Sequence, residues 1–320
     1  MKIGSNHGIE LPGHLSRSVD KLRLYATDTY FLESWEDYLA VAEKRNLPPL
    51  SEFASLTLKP DAVVGRTIKP TIDWLEEHGF KVVAAEIVEF ERHITRGIWQ
   101  YSWNVASRDR KDIVDVLLTA TPSLFLVLHG PEDAALWLSE NKGPANPKYR
   151  SPGQLRYGLG YFSTLLNFVH TSDEPADFVR ELAVYFPAAT RQKLYGAMAS
   201  FIDSRAMADE LAGQLEDRFP PHDLEFEASV ARLLKRLPAF DGIQTVDLDG
   251  LEELLGQIAL GESHDWRRLY LEFGELGLSR HDWDLIVVAV GLVRMDNQDI
   301  DPLVPGISSM TLPATATEIG

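Results

Sequence analysis

The sequence of 320 residues contains no cysteine. This absence excludes thiolate catalysis, disulfide bonds, cysteine-ligated zinc and iron–sulfur clusters, and it is compatible with a reducing compartment. Long apolar runs are also missing: the longest, Leu124–Leu128 and Leu285–Val290, are too short to cross a bilayer, and residues 1–13 hold no stretch of signal-peptide length. We therefore expect a soluble, cytoplasmic protein without a membrane partner.

Basic residues are in the minority. The chain has 31 Lys and Arg against 48 Asp and Glu, a net charge of -17, which disfavours nucleic acid as a partner through bulk charge. No GxxxxGK[ST] motif is present, so phosphate binding would depend on side chains and strand ends. We expect no metal site made by the protein alone, because the acidic run 296–301 lacks the glycine of a calcium loop and is interpreted as a solvated turn.

The remaining composition is that of a globular protein, with 45% hydrophobic and 25% charged residues. The length predicts about two domains. We interpret residues 1–51 as an N-terminal helical extension and 52–187 as an α+β domain. Residues 188–306 are interpreted as a helical acidic module, and 307–320 as a flexible tail.

The pattern of apolar residues predicts the elements of the α+β domain. Residues 18–46 have helical spacing, and the alternating residues 54–59 predict a strand that ends at Pro60. The further strands are predicted at 80–90, 124–128 and 165–169, and the further helices at 67–79, 109–119, 132–140 and 175–186. Short strands interleaved with helices indicate one small sheet covered by helices.

Five short blocks carry a family resemblance. They are Thr57–Asp61, Gly79–Phe80, Asn146–Pro147 with Pro152–Arg156, Asn167–Asp173 and Arg180–Phe186. In this order and spacing, residues 54–187 resemble the nucleoside diphosphate kinase family. The resemblance implies a ferredoxin-like fold with a four-stranded antiparallel sheet. It also implies ping-pong transfer of a γ-phosphate from a nucleoside triphosphate to a diphosphate, with Mg²⁺ bound through the nucleotide phosphates.

The resemblance also assigns roles to individual residues. It implies that His170 is the phosphorylated nucleophile and that Glu181, in the following helix, supports it; a neutral imidazole oriented by a carboxylate suits this chemistry. Nucleotide binding is implied for Lys59, Arg156 and Asn167. The lysine and the arginine would stabilise charge on the phosphate oxygens, and the asparagine would bind the ribose 3′ hydroxyl or a phosphate.

Several positions depart from the family pattern. Ser139 stands where the family has a phosphate-binding arginine, Ala145 replaces a threonine, and Thr171 replaces a glycine after the histidine. Lys142 and Arg150 flank the intervening loop, and either could supply the missing positive charge or lie in solvent. If nothing replaces the two lost contacts, nucleotide binding is expected to be weaker.

Two functions therefore remain open. The first is a phosphotransferase related to nucleoside diphosphate kinases. The alternative is a catalytically degenerate nucleotide-binding or scaffold protein whose helical tail binds a partner. The retained nucleophile and its support favour the enzyme. Trp99 and Tyr101 could stack on a base or belong to the core, and the terminal extensions leave the formation of a homo-oligomer open.

Overall fold

The centre of the fold is a four-stranded antiparallel sheet, seen in a computed structural model that describes residues 10–160, 163–242, 245–297 and 300–304. Its spatial order is β2-β3-β1-β4. The strands are β1 Phe53–Leu58, β2 Lys81–Val88, β3 Ser123–His129 and β4 Val169–Thr171. The α+β class and the antiparallel four-stranded sheet expected from the sequence are confirmed.

Fifteen α-helices are found in the described residues. They are α1 Val19–Tyr25, α2 Thr29–Ala42, α3 Pro60–Val64, α4 Ile68–Glu77, α5 Arg92–Ile98, α6 Arg108–Leu118, α7 Ala134–Asn141, α8 Leu155–Leu159, α9 Pro175–Tyr185, α10 Ala188–Ser200, α11 Arg205–Arg218, α12 Phe226–Arg236, α13 Leu248–Ala259, α14 Trp266–Glu275 and α15 Trp283–Leu292. Within the described ranges, no helix is long and apolar enough to span a membrane. The tail predicted at 307–320 lies outside those ranges.

The single helix predicted over 18–46 is wrong. The structure has two helices here, α1 and α2, separated at Asp28. The Asp28 carboxylate accepts a hydrogen bond from the backbone N–H of Phe31 at 2.9 Å and so caps the start of α2. Its other oxygen is bonded to the buried Arg180 at 3.0 Å, so the break anchors the N-terminal extension to α9.

The strand predicted at 165–169 is also wrong. Strand β4 begins at Val169, which lies opposite Leu58, and His170 lies opposite Thr57. Phe168 has a φ of 66°, a left-handed conformation that an extended strand does not contain. Leu165 is nevertheless buried, and an apolar loop residue of this kind has the sequence pattern of a strand.

The helices form layers around the sheet. Helix α9 packs on β1, and α2 packs on the outer side of α9. On the other side, α11 contacts β2, β3 and α3. The N-terminal and C-terminal segments are thus both docked on the α+β domain. A boundary between the α+β domain and the helical module at residue 187 remains a proposal. Only Phe186 and Pro187 separate α9 from α10 there.

The C-terminal segments also cover backbone of the central domain. Ser204, just before α11, donates from its N–H to the carbonyl of Val82 at 2.8 Å and from its hydroxyl to that of Val83 at 2.9 Å. Strand β2 lies at the edge of the sheet, where unpaired backbone groups can pair with another chain. The carbonyls of Val82 and Val83 at this edge are therefore already bonded by Ser204 of the same chain.

A second C-terminal segment, with the described residues 293–297 and 300–304, lies along the connection between α5 and α6. Ser107 N–H donates to the carbonyl of Met295 at 3.1 Å, and Asn297 N–H donates to that of Val105 at 2.7 Å. Val304 N–H donates to the carbonyl of Tyr101 at 3.1 Å. These bonds bring Val304 to the wall of a cavity that His170 also lines.

Candidate active site

His170 and Glu181 form the centre of the candidate site. The imidazole Nε2 lies 2.9 Å from Glu181 Oε1, and the two side chains are 18% and 8% exposed. Strand β4 presents the histidine, and α9 runs back over the sheet to place the glutamate beside it. The carboxylate accepts a hydrogen bond from Nε2, which leaves Nδ1 with a lone pair and with no bonded partner among the described residues.

Two cavities meet at His170. The larger has a volume of about 510 Å³ and the smaller about 160 Å³. His170, Trp99 and Arg156 line both cavities, whereas Lys59 and Asn167 line only the smaller one. The structure therefore brings all five site residues expected from the resemblance to one place.

Trp99 lines both cavities and contacts the candidate nucleophile. Its ring meets the edge of the His170 imidazole at a centroid distance of 5.4 Å and stacks on Trp103 at 5.6 Å. Tyr101 lines the larger cavity, and its hydroxyl donates to Asp28 at 2.7 Å. Trp99 and Tyr101, for which the sequence allowed either base stacking or a place in the core, thus both lie at the cavity walls.

Lys59 is a buried cation at the end of β1. Its Nζ donates to the carbonyl of Leu165 at 2.9 Å and lies 3.5 Å from the Asp61 carboxylate. Burial lowers the pKa of Lys59 to about 8, against the opposing effect of Asp61. The ammonium is therefore charged at neutral pH and loses its proton more readily than an exposed lysine.

Arg156 ties the two loops that border the smaller cavity. Its guanidinium donates to the carbonyl of Gly143 at 2.7 Å and to that of Asn167 at 3.1 Å. Burial and the neighbouring Arg150 lower the pKa of Arg156, but a guanidinium keeps its charge at neutral pH. The Asn167 amide donates to the carbonyl of Thr164 at 2.6 Å. A bound phosphate would therefore have to share the N–H donors of Arg156 and Asn167 with the backbone carbonyls that they bind in this structure.

The two candidate replacements for the missing arginine have different surroundings. Arg150 donates to the carbonyls of Pro144, Ala145 and Gly160 at 3.2, 2.7 and 2.9 Å. Buried guanidinium groups that bond several carbonyls hold a loop in shape. Arg150 therefore acts on the loop rather than on the cavity, whose walls it does not form.

Lys142, in contrast, enters the larger cavity. Its Nζ contacts the Thr171 hydroxyl at 2.5 Å, the Asp173 carboxylate at 3.2 Å and the Ser139 hydroxyl at 3.3 Å. Burial alone would raise the pKa of Asp173, but the Lys142 ammonium and the Ser139 hydroxyl lower it to about 2. At the position where the family has an arginine, the chain thus has a serine that is bonded into a lysine–aspartate pair.

Sequence reasoning missed the residues that the N-terminal extension contributes. Lys21 lines the larger cavity, and its Nζ lies 2.6 Å from Glu174 and 2.8 Å from Asp177. Tyr25 donates to the same Asp177 at 2.7 Å. Although burial opposes it, Asp177 and Glu174 raise the pKa of Lys21 above its ordinary value, so the lysine stays charged and neutralises carboxylates next to the site.

Comparison with known proteins matches the central part of the chain. The model of the family described as nucleoside diphosphate kinase matches residues 52–190. The nucleoside diphosphate kinase of Thiobacillus denitrificans is 33% identical over 135 residues, which are 41% of this chain and 89% of that protein. The one of Thermococcus kodakarensis is 29% identical over 137 residues, 42% of this chain and 76% of that protein.

Among solved structures, the NDP kinase of Pyrobaculum aerophilum is 23% identical, with a TM-score of 0.38 over 42% of this chain and 96% of that one. The assignment depends on the sequence matches, because these extend over most of the relatives' length. Through residues 52–190, the chain belongs to the nucleoside diphosphate kinase family.

Proposed function

We propose that the chain is a phosphotransferase that moves the γ-phosphate of a nucleoside triphosphate, through a phosphohistidine at His170, to a nucleoside diphosphate or a specialised acceptor. Membership of the family supports a nucleoside-diphosphate-kinase-like function. The observation that carries the finer proposal is the 2.9 Å bond between His170 Nε2 and Glu181, because it orients Nδ1 as the nucleophile beside two cavities that both contain cationic side chains.

The first half-reaction forms a phosphorus–nitrogen bond. The lone pair of His170 Nδ1 attacks the γ-phosphorus, the bond to the β,γ-bridging oxygen breaks, and the nucleoside diphosphate leaves with that electron pair. The proton on Nε2 stays in place, where the Glu181 carboxylate stabilises the charge that develops on the ring. In the second half-reaction a terminal oxygen of the acceptor attacks the same phosphorus, and the imidazole is released.

Positive charge in the walls stabilises the phosphate oxygens during both steps. Lys59 and Arg156 face the smaller cavity and Lys142 the larger one; fixed cations of this kind act mainly on the spread charge of the transition state. No group of three or more metal-binding side chains occurs in the described residues, and Asp173 is paired with Lys142. The Mg²⁺ that such kinases use would thus be held by the nucleotide phosphates, whose charge it neutralises.

The direct test is labelling of the intact chain with γ-labelled ATP. We expect label that is lost in acid and stable in base, as for a phosphohistidine, and that is removed when a nucleoside diphosphate is added. Nucleotide binding without any such label would overturn the proposal and favour the alternative, a nucleotide-binding scaffold.

Glu181→Gln is expected to slow formation of the phosphoenzyme by about 10- to 100-fold without loss of the fold. The amide can still reach Nε2, but it cannot stabilise a positive ring as the carboxylate does. Rapid-quench measurement of the labelling rate at saturating ATP reports this step. Glu77→Gln, at the exposed end of α4, is the matched control; equal rates for both variants would remove Glu181 from the mechanism.

Nucleotide affinity is expected to fall as pH rises above 8. Since burial lowers the pKa of Lys59 to about 8, the ammonium becomes neutral in this range, and binding of an anionic phosphate then takes up one proton. The dissociation constant of ADP should increase by up to about tenfold for each pH unit above 8. In Lys59→Met this increase should be absent, and an unchanged pH dependence in that variant would contradict the role of Lys59.

A further inference from the structure

The smaller cavity has a third cation that the family resemblance did not indicate. Arg110, on α6, lines this cavity together with Lys59, Arg156 and His170. No carboxylate is among the described residues of its wall, whereas the larger cavity also holds Asp173, Asp177 and Glu181. The smaller cavity is therefore the more favourable one for an electron-rich ligand group.

The guanidinium of Arg110 is only partly used by the protein. Its Nη1 donates to Asp296 Oδ1 at 2.5 Å. Among the described residues, its buried Nε has no hydrogen-bond partner and nothing bonds Nη2. The N–H groups of Nε and Nη2 point in parallel from one edge of the planar group, which is the geometry that grips two adjacent acceptors. A buried donor without an acceptor is unfavourable in the free protein and becomes favourable when a ligand supplies one.

Asp296 fixes the orientation of this edge. It lies in the C-terminal stretch 293–297, where backbone bonds hold both of its neighbours: Met295 accepts from Ser107 at 3.1 Å, and Asn297 donates to Val105 at 2.7 Å. Because Asp296 binds Nη1 from this anchored segment, rotation of the guanidinium away from the cavity would break an ion pair. A residue that follows α15 thus positions a side chain of α6.

The wall beside Arg110 is apolar. Trp99, Trp103 and Leu117 line the same cavity, and Trp103 is buried. Hydrogen bonds in such surroundings are stronger than in water, since little solvent competes for the donors. Two parallel donors beside aromatic rings suit a ligand group that carries two adjacent acceptors.

We propose that Arg110 is a recognition residue of the nucleotide site, with its Nε–Nη2 edge donating to two adjacent acceptors of the bound nucleotide and Asp296 as its positioning residue. This inference rests on the proposed function. Two parts of a nucleotide carry such acceptors: the O6 and N7 edge of guanine, and a pair of phosphate oxygens. Arg110 is a specificity residue in the first case and a phosphate ligand in the second.

The test is equilibrium binding of GDP, ADP and inorganic tripolyphosphate to the intact chain. Arg110→Lys keeps the positive charge but removes the two-donor edge. We expect it to weaken binding by about 10- to 100-fold. A loss confined to GDP assigns the guanine edge, and a loss shared by all three probes assigns the phosphates. The matched control is Arg108→Lys on the same helix, since Arg108 is 89% exposed and lines neither cavity.

Asp296→Asn tests the positioning role. It should reproduce the pattern of Arg110→Lys across the three probes with a smaller loss, whereas a purely structural effect would weaken all probes and lower thermal stability as well. Equal affinities of wild type and Arg110→Lys for every probe would overturn this inference and leave the proposed function intact. A wild-type chain that binds none of the probes would overturn the proposed function, and this inference with it.

Discussion

Replacing His170 with alanine is expected to abolish acid-labile labelling from γ-labelled ATP and all transfer to a diphosphate. The variant lacks the only atom that the proposed reaction uses as nucleophile, Nδ1, and no other histidine lines either cavity among the described residues. Among the described residues the imidazole makes one side-chain hydrogen bond, to Glu181. We expect the sheet to stay intact, because β4 pairs with β1 through the backbone. Labelling measured over hours, with circular dichroism to verify the fold, gives the result.

His264→Ala is the control for this experiment. His264 is exposed and remote in the sequence from the family-matched residues, so its loss should leave the label unchanged. A second readout separates chemistry from binding: His170→Ala should still bind ADP. Acid-labile label that persists in this variant would assign the phosphoryl group to another nitrogen nucleophile and contradict the proposed mechanism.

The family resemblance implies site residues that lie in local motifs, and the structure brings these residues together around His170. Lys59 follows β1, His170 lies within β4, and Glu181 comes one helix later. The period of each element fixes which of its side chains share a face, and the resemblance implies which of these faces meet. The antiparallel four-stranded sheet is implied by the same resemblance, and the structure confirms it.

Contacts between distant segments could not be predicted. Nothing in the pattern of α1 distinguishes Lys21 from a solvent-exposed lysine, yet it is buried against carboxylates far along the chain. Asp296, in the acidic run interpreted as a solvated turn, is half-exposed and pairs with Arg110, a pairing that the pattern of the run does not indicate. Such pairs depend on how the terminal segments dock, and one sequence without its fold has no signal for that.

The missing arginine shows an intermediate case. The sequence left Lys142 and Arg150 as equal candidates for the lost charge, since both flank the same loop. The structure separates them, because Arg150 bonds backbone carbonyls of the loop and Lys142 contacts Ser139 inside the larger cavity. The difference depends on which groups surround each cation in the folded chain. The composition of the loop does not determine those groups.

The largest effect on stability is expected from Lys21→Met. The lysine, Glu174 and Asp177 have side chains 6%, 4% and 12% exposed, so the methionine leaves two nearly buried carboxylates without their cation. Removing one partner of a buried ion pair typically costs about 3–5 kcal/mol. Urea denaturation measures the change in the free energy of unfolding, and Lys69→Met, which breaks an exposed pair with Asp73, should cost about 1 kcal/mol or less.

A second substitution shows whether charge is the cause. Neutralising the carboxylates with Glu174→Gln and Asp177→Asn in the Lys21→Met background should restore most of the lost stability, because the amides need no counter-ion. If Lys21 instead acts through packing of its methylene chain, methionine fills nearly the same space and the single variant is already stable. In that case the N-terminal extension only packs against α9. If the rescue occurs as expected, the extension supplies the positive charge that neutralises Glu174 and Asp177 beside the site.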